Sequence, residues 1–203
     1  HAPIPVHTVA LVNRGHMLVA GDAEGRVSVT TLSTYRPIVF WQAHRGAVLR
    51  ADAWSGYLVT HGRDHSLRVW KMPDELGSVA LSSSMAKNLP LPTMLHEMGV
   101  NALNYCAYDM CIRNEDTPTL DGWLVIPNTL ESGWIDLYHV PSQQRIIESL
   151  GRQADIRSGT ERPATVMALQ ICILRDVLWI VAGYEDGVLQ AWTIPASSME
   201  PTL

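Results

Sequence analysis

Three polar residues in the first third of the sequence could form a nucleophile, a general base and an orienting acid. Thr60, His44 and Asp64 are the residue types of a hydroxyl nucleophile, an imidazole base and the carboxylate that holds such a base. However, Thr60 and Asp64 flank a turn that leads into a predicted strand ending at Trp70, and a threonine packed under a tryptophan lies away from any pocket. We therefore predict that His44, Thr60, Asp64 and Trp70 form a structural tetrad that satisfies buried polar groups, and we predict no catalytic residues.

The histidines and cysteines do not have the spacing of a metal site. His61 and His65 are four residues apart, but they flank a turn between strands and have no third ligand in the sequence nearby. Cys106, Cys111 and Cys172 show neither a zinc-ribbon nor a Cys-x-x-Cys spacing. We therefore predict no metal and no cofactor, and we interpret the cysteines as reduced thiols of a nuclear or cytoplasmic protein.

Composition narrows the class of protein further. The 203 residues are 47% hydrophobic and 17% charged, which is typical of a globular domain. The net charge is −5 and there is no basic run, which argues against direct nucleic-acid binding. Polar residues interrupt the longest apolar stretch, Val166–Ala182, so we predict no membrane span.

A short hairpin pattern occurs four times along the chain. Each copy is a polar turn that enters a strand with apolar residues two positions apart. The copies span Ala20–Thr30, Thr60–Trp70, Asn128–Tyr138 and Ala182–Trp192. Histidines also precede a valine by four positions, as in His44 with Val48 and His96 with Val100. A repeat of about forty residues with an aromatic residue at the end of a strand is the signature of WD40 blades.

The repeat predicts an all-β fold and a domain organisation. We expect a single WD40 β-propeller segment over residues 1–203, with blades near 1–41, 42–95 and 96–149 and a partial blade near 162–194. The first strand of the third blade is predicted at Val100–Tyr108. Four visible blades favour part of a seven-bladed ring, although a closed four-bladed ring remains the alternative.

Two insertions between predicted strands are candidates for partner binding. Pro73–Pro90 separates the last two strands of the second blade, and Asp109–Asp121 separates the first two strands of the third blade. Loops of these two kinds lie on one face of a propeller. The possible partner-binding residues are apolar in the first insertion and acidic in the second: Leu76, Met85, Leu89, Glu115, Asp116 and Asp121. Ordinary variation in loop length remains the alternative interpretation.

Several segments resemble one family of WD-repeat proteins, and together they cover nearly the whole chain. These segments are Gly21–Gly25, Arg36–His44, Thr60–Trp70, Val100–Tyr105, Val125–Leu130 and Gly183–Gly187. They look like the fungal ASTRA-associated protein 1 family, which is related to animal G-protein β-subunit-like proteins. The resemblance implies a non-catalytic scaffold in the nucleus, with the cytoplasm as a second location. It further implies membership of the ASTRA complex, linked to chromatin remodelling and to maturation of phosphatidylinositol-3-kinase-like kinases.

The partners that this resemblance implies are proteins. They are HEAT-repeat chaperone-like proteins, AAA+ ATPases and large kinase-like proteins, with no direct nucleic-acid or membrane contact. Two other functional hypotheses stay open. One is a signalling or peptide-reading propeller outside ASTRA, for which a basic-peptide pocket on the top face would be diagnostic. The other is a propeller enzyme, which would need a polar central pocket.

Overall fold

The computed structural model describes residues 3–74, 89–113, 120–152 and 164–195. The chain divides into two compact units, His1–Met98 and Gly99–Leu203. The strands of the first unit are β1 Val6–Val12, β2 Met17–Asp22, β3 Arg26–Thr31, β4 Arg36–Gln42, β5 Val48–Trp54, β6 Tyr57–Gly62, β7 Ser66–Lys71 and β8 Thr93–Gly99. Those of the second unit are β9 Asp109–Ile112, β10 Gly122–Pro127, β11 Ile135–Val140, β12 Arg145–Leu150, β13 Val166–Leu174, β14 Val177–Tyr184 and β15 Leu189–Pro195.

Strands that follow one another in the chain also neighbour one another in each sheet. Sheet 1 (β1–β4) and sheet 2 (β5–β8) form the first unit, and sheet 3 (β9–β12) and sheet 4 (β13–β15) form the second. The predicted all-β class is therefore confirmed, with three four-stranded sheets and one three-stranded sheet among the described residues. Within the described residues, no helix is long and apolar enough to cross a lipid bilayer.

A β-bulge recurs at the start of the first strand in three of the four sheets. The register shifts between Val6 and Thr8 in β1, between Val48 and Arg50 in β5, and between Val166 and Ala168 in β13. A bulge bends its strand and increases the local twist. The repeat seen in the sequence is thus a repeat of backbone geometry as well.

The hydrophobic core of the first unit lies between sheet 1 and sheet 2. Val19, Val29 and Val39 pair across β2, β3 and β4 and are fully buried. They belong to one cluster with Val48 and Leu58 of sheet 2. This alternation of buried residues two positions apart is the pattern that predicted the strands.

Gly21 lets the two sheets of the first unit approach closely. A Cβ atom on this residue would lie 2.6 Å from the Cβ atom of Val48, which is inside van der Waals contact. Any larger residue here would push β2 away from β5. The glycine in the first copy of the repeat is therefore required by packing.

The second unit has its own core between sheet 3 and sheet 4. Trp123, Val125 and Leu137 of sheet 3 are fully buried, and so are Leu178 and Ile180 of sheet 4. Each of the two units therefore buries its own apolar cluster.

The prediction of a strand at Val100–Tyr108 is wrong. This segment forms no strand, and the first strand of sheet 3 is β9, Asp109–Ile112. The reason is local hydrogen bonding: the Asn101 side-chain oxygen accepts from Leu103 N, and that of Asn104 accepts from Cys106 N. These bonds compete with a strand ladder for the backbone donors.

Two further expectations depend on that strand and change with it. The second insertion begins after β9 at Arg113, rather than at Asp109. His96, aligned with the tetrad histidine, lies inside β8 and is exposed, so its predicted equivalence to His44 is wrong. Only the sequence spacing of a histidine before a valine linked the two positions.

The outer face of sheet 1, opposite the core, generates a prediction. Val9, Leu11 and Phe40 are exposed there to 58%, 67% and 41%. Because water-exposed apolar strand faces drive association, the 203-residue chain produced alone should self-associate. The double variant Val9→Lys and Leu11→Lys should shift sedimentation velocity profiles toward monomer.

Tyr35→Lys is the matched control, since Tyr35 is 81% exposed but lies in the turn before β4. This control should leave the association unchanged. A parent chain that is a monodisperse monomer with a cooperative melt would contradict the prediction.

Candidate functional site

The structure brings the four residues of the predicted tetrad together in sheet 2 of the first unit. The His44 Nε2 atom lies 2.8 Å from Thr60 Oγ1, and His44 Nδ1 lies 2.8 Å from Asp64 Oδ1. The Trp70 indole nitrogen donates to the same threonine oxygen at 2.9 Å. Thr60 projects from β6, Asp64 from the turn that follows, and Trp70 from the end of β7. The hairpin therefore places three of the four groups, and the segment between β4 and β5 supplies the imidazole.

The direction of each hydrogen bond follows from the chemistry of the groups. An ionised Asp64 can only accept, so His44 donates from Nδ1 and accepts at Nε2 from the Thr60 hydroxyl. Trp70 can only donate, so the Thr60 oxygen also serves as acceptor. Burial lowers the pKa of His44, and this effect outweighs the opposing influence of Asp64. The imidazole is therefore neutral when folded, as this chain of donors requires.

Asp64 is held by more groups than the histidine alone. The backbone N–H of Arg45 donates to Oδ2 at 2.9 Å, and the Ser66 hydroxyl donates to Oδ1 at 2.8 Å. Burial by itself would raise the pKa of Asp64. The bonds from Arg45, Ser66 and His44 outweigh burial and lower the pKa to about 2. Asp64 is thus a fixed anion that orients the imidazole.

Gly62 gives the ring of His44 room to lie against the hairpin. A Cβ atom at this position would lie 2.3 Å from His44 Nδ1 and 2.7 Å from Asp64 Oδ1. Any side chain would therefore collide with the two atoms that form the imidazole–carboxylate bond. The glycine between His61 and Arg63 in the second repeat has this packing role.

The network has the connectivity of a hydrolytic triad, but its hydroxyl is inaccessible. Thr60 has no exposed surface, and Trp70 is 8% exposed above it. Trp41 packs edge-on against Trp70, with ring centroids 5.5 Å apart. Because Thr60 is fully buried and its oxygen is bonded to Trp70, a substrate carbonyl could not reach it without rearranging the packed side chains, so the geometry favours a structural role.

His61 and His65 occupy opposite environments. His61 is 2% exposed and burial lowers its pKa to about 4, with a smaller contribution from the nearby His44. His65 is exposed and has a positive φ of 61° in the turn between β6 and β7. In the parts of the chain that the structure describes, no group of three or more His, Cys, Asp or Glu residues could hold a metal ion.

A second buried polar network lies in the second unit, and sequence inspection missed it. Asp136 in β11 has no exposed surface, and its Oδ1 atom accepts from Asn128 Nδ2 and from Ser149 N, each at 2.9 Å. Arg145 on β12 lies 3.8 Å from the other carboxylate oxygen. Asn128 aligns with Thr60 in the repeat, so an amide occupies the position of the hydroxyl.

A sequence signal for this network exists. Asp136 stands between Ile135 and Leu137 in a strand, where alternation alone predicts a solvent-facing side chain. An arginine at the start of the next strand, Arg145, was the available hint of a paired, buried carboxylate.

The predicted partner-binding residues fall largely outside the described ranges. Leu76, Met85, Glu115 and Asp116 lie outside them, and Leu89 is partly buried. The remaining residue, Asp121, is described in full. Its carboxylate lies 2.9 Å from His139 Nε2 and 3.7 Å from Arg113, so its charge is already partnered within the second unit.

Two of the cysteine thiols are poor nucleophiles in this environment. Burial raises the pKa values of Cys106 and Cys111 to about 12 each. Both side chains therefore remain protonated at neutral pH, and a protonated thiol does not attack electrophiles.

The amino-acid sequence of this chain is similar to those of known proteins. No protein-family model matches the chain. The chain is 36% identical to ASTRA-associated protein 1 of Verticillium alfalfae over 208 residues, which cover 95% of this chain and 48% of that protein. It is 36% identical to the protein of the same name in Penicillium rubens, with 90% and 46% covered. The chain spans about half the length of the curated relatives it matches.

A solved structure shows the same fold. The β-propeller domain of Myceliophteria thermophila Cps50 (Swd1) matches with a TM-score of 0.62 and 13% identity, over 94% of this chain and 51% of that one. Similarity at this level of identity concerns the fold alone. It confirms the predicted WD40 β-propeller class, with sheets that correspond to about half of such a domain.

The tetrad geometry generates a prediction about stability. Trp70→Ala removes a buried indole, and Asp64→Ala leaves the buried His44 without its acceptor, so each should lower the free energy of unfolding by about 2–5 kcal/mol. Trp70→Phe keeps most of the apolar volume and loses only the donor to Thr60, so it should cost about 1 kcal/mol. Urea unfolding measures each value.

Trp179→Phe is the control for these substitutions, because Trp179 is 39% exposed. We expect it to change the free energy of unfolding by less than about 0.5 kcal/mol. Unchanged melting of both Trp70→Ala and Asp64→Ala would show that the tetrad has no structural role.

The buried histidines generate a prediction about pH. The ordinary pKa of 6.5 applies to unfolded His61 and a pKa of about 4 to the folded residue, so the unfolded state takes up protons first as pH falls. The free energy of unfolding should therefore decrease between pH 6.5 and 4, by about 3 kcal/mol for His61 alone. His44 acts in the same direction. Asp64 should add a further loss only below its ordinary value of 3.8, as pH falls toward 2.

Denaturant unfolding at several pH values tests this dependence. His61→Asn should flatten the curve between pH 6.5 and 4. His65→Asn changes the exposed histidine of the same turn and should retain the slope of the parent. A parent whose stability is constant over this range would contradict the assignment.

Proposed function

Because this chain is a WD40 β-propeller homologous to the ASTRA-associated protein 1 family over about nine-tenths of its length, we propose that it is a scaffold. In this proposal the protein is a non-catalytic subunit of the ASTRA complex, which is involved in chromatin remodelling. It also contributes to the maturation of phosphatidylinositol-3-kinase-like kinases. The proposed location is the nucleus, with the cytoplasm as a second location.

One observation carries the proposal: 36% identity to ASTRA-associated protein 1 across 95% of this chain. The buried hydroxyl of Thr60 supports its non-catalytic part. The groups that most resemble a catalytic apparatus are used inside the hairpin, where they satisfy one another. When the buried polar groups of a propeller bond to one another, its surface loops are the parts available for binding partners.

The proposed partners are other proteins of that complex. They comprise HEAT-repeat chaperone-like proteins, AAA+ ATPases and large kinase-like proteins. Protein scaffolds bind through a few apolar anchors surrounded by polar residues. This requirement is met by the two insertions of the sequence, one with leucines and a methionine and one with acidic residues.

We assign docking to these insertions, at Pro73–Pro90 and in the loop from Arg113 to Asp121. Leu89 is partly buried at the end of the first insertion, and Asp121 is held by His139 and Arg113. The apolar anchors are therefore assigned to Leu76 and Met85. The steering of a basic partner surface is assigned to Glu115 and Asp116, since long-range attraction speeds association.

Shortening both insertions tests this assignment in the full-length protein. Replacing residues 75–88 and 114–119 with short Gly-Ser linkers should leave the melting temperature near that of the parent and abolish co-purification with the HEAT-repeat subunits. Quantitative mass spectrometry of the purified complex measures the loss.

The matched control replaces residues 153–163, a third long connection, in the same way. This control should keep the partners. If the doubly shortened protein recovers the whole complex at wild-type yield, the insertions are not the docking site. If full-length wild-type protein recovers none of these subunits, the scaffold function itself is refuted.

A further inference from the structure

Three buried asparagines order two neighbouring loops of the second unit. Asn101, Asn104 and Asn128 are 6%, 5% and 4% exposed. The amide of Asn101 donates to the carbonyl of Asn128 at 2.7 Å, so the two loops are joined directly. The side-chain oxygen of each of these two asparagines also accepts from the backbone two residues further on, at Leu103 N and Leu130 N. Both loops are therefore fixed from within.

Each of these two asparagine-bonded loops exposes a leucine to solvent. Leu103 is 88% exposed and Leu130 is 92% exposed, the two highest values among the large apolar side chains of the described residues. An isolated exposed leucine is common. Here two occur at equivalent positions of loops that are hydrogen-bonded to each other, and Tyr105, half exposed, follows the first.

Hydrogen bonds extend this arrangement to the next turn of the unit. The backbone N–H of Val166 donates to Ser132 O, and that of Glu185 donates to Thr165 O, each at 2.9 Å. Leu189, the first residue of the strand after this turn, is 77% exposed. Two adjacent loops therefore carry Leu103 and Leu130, and Leu189 begins the strand that follows the turn bonded to them.

The charged residues within these loops are acidic, and Arg152 from the segment after β12 lies over the Trp134 ring at 5.2 Å. Residues 101–108, 128–134 and 184–188 contain Glu131, Glu185 and Asp186, and no lysine or arginine. Within the described ranges these three carboxylates form no ion pair, whereas Asp121 and Asp136 have cationic partners. Unneutralised carboxylates beside exposed leucines complement a partner that is both basic and apolar.

We propose that Leu103, Leu130, Leu189, Glu131, Glu185 and Asp186 form a docking surface for a basic, leucine-rich segment of another protein. We name it the leucine surface. It uses residues separate from those in the two insertions, so this proposal does not rest on the scaffold function and can fail or succeed independently. It matches the chemistry of the peptide-reading hypothesis drawn from the sequence.

The rigidity of the loops is what makes the leucines suitable as anchors. Binding costs free energy when loops must become ordered. Here the hydrogen bonds of the asparagine side chains order the loops during folding, before any partner binds. An exposed leucine that inserts into a partner loses contact with water, and a few such residues dominate the affinity of an interface. The leucines make no such contribution to the folded chain itself, because nearly all of their surface is exposed.

A peptide-binding experiment on the full-length protein tests the proposal. The probe is a fluorescent amphipathic helix of about eighteen residues, or five turns, with leucines on one face and lysines on the other. The comparison peptide has glutamate in place of every lysine. Fluorescence anisotropy should show saturable binding of the lysine peptide that weakens with salt, and no binding of the glutamate peptide.

Variants then locate the binding. Leu103→Ala with Leu130→Ala should weaken binding of the lysine peptide about tenfold or more without changing the melting temperature. Leu174→Ala is the matched control: Leu174 is 57% exposed at the far end of β13, and its loss should leave the affinity unchanged. Glu131→Gln, Glu185→Gln and Asp186→Asn together should reduce the salt dependence.

Each remaining outcome overturns the proposal. It fails if neither peptide binds, if both bind equally, or if the double alanine variant binds like the parent. It also fails if Leu174→Ala weakens binding as much as the double variant does, since the peptide would then be attracted to apolar surface in general.

Discussion

The buried imidazole of His44 must keep both ring nitrogens hydrogen-bonded, and the first unit is arranged around that requirement. Asp64 accepts from one nitrogen and Thr60 donates to the other, while Trp70 donates to the same threonine. Leaving any of these groups unpaired in the interior would cost more than the bond itself contributes. The hairpin β6–β7 can therefore hold only one register, and Gly62 must be free of a side chain where the ring lies against it.

The second unit meets the same physical requirement with different groups. Asp136 is as deeply buried as Thr60, and an asparagine amide, a backbone N–H and a nearby arginine stabilise it in place of an imidazole and an indole. Asparagines also replace strand hydrogen bonds in the segment before β9, where Leu103 is exposed. The polar groups of these two networks thus satisfy one another within the fold.

The sequence alone determined the class of the fold and most of its strands. Apolar residues two positions apart, closed by an aromatic residue and separated by polar turns, leave few alternatives to antiparallel hairpins. The predicted hairpin copies Thr60–Trp70 and Ala182–Trp192, for example, each span the end of one strand, a turn and most of the next strand in the structure. The tetrad could be predicted for the same reason, because a histidine, threonine, aspartate and tryptophan at these spacings can meet in a single blade. The segments shared with ASTRA-associated protein 1 were also visible at this level, since they are local strings of residues.

The tertiary structure decided whatever depends on which side of a strand is covered and on competition between hydrogen bonds. Alternation in β11 cannot show that Asp136 faces inward, because its carboxylate is bonded by Asn128 from the loop after β10 and lies near Arg145 of β12. The spacing before Val100 suggested a tetrad histidine at His96, yet that residue lies exposed in β8. The apolar pattern from Val100 to Tyr108 suggested a strand, yet asparagine side chains capture the backbone donors first. In each case the outcome depends on partners distant in sequence or on side-chain geometry, and local pattern carries neither.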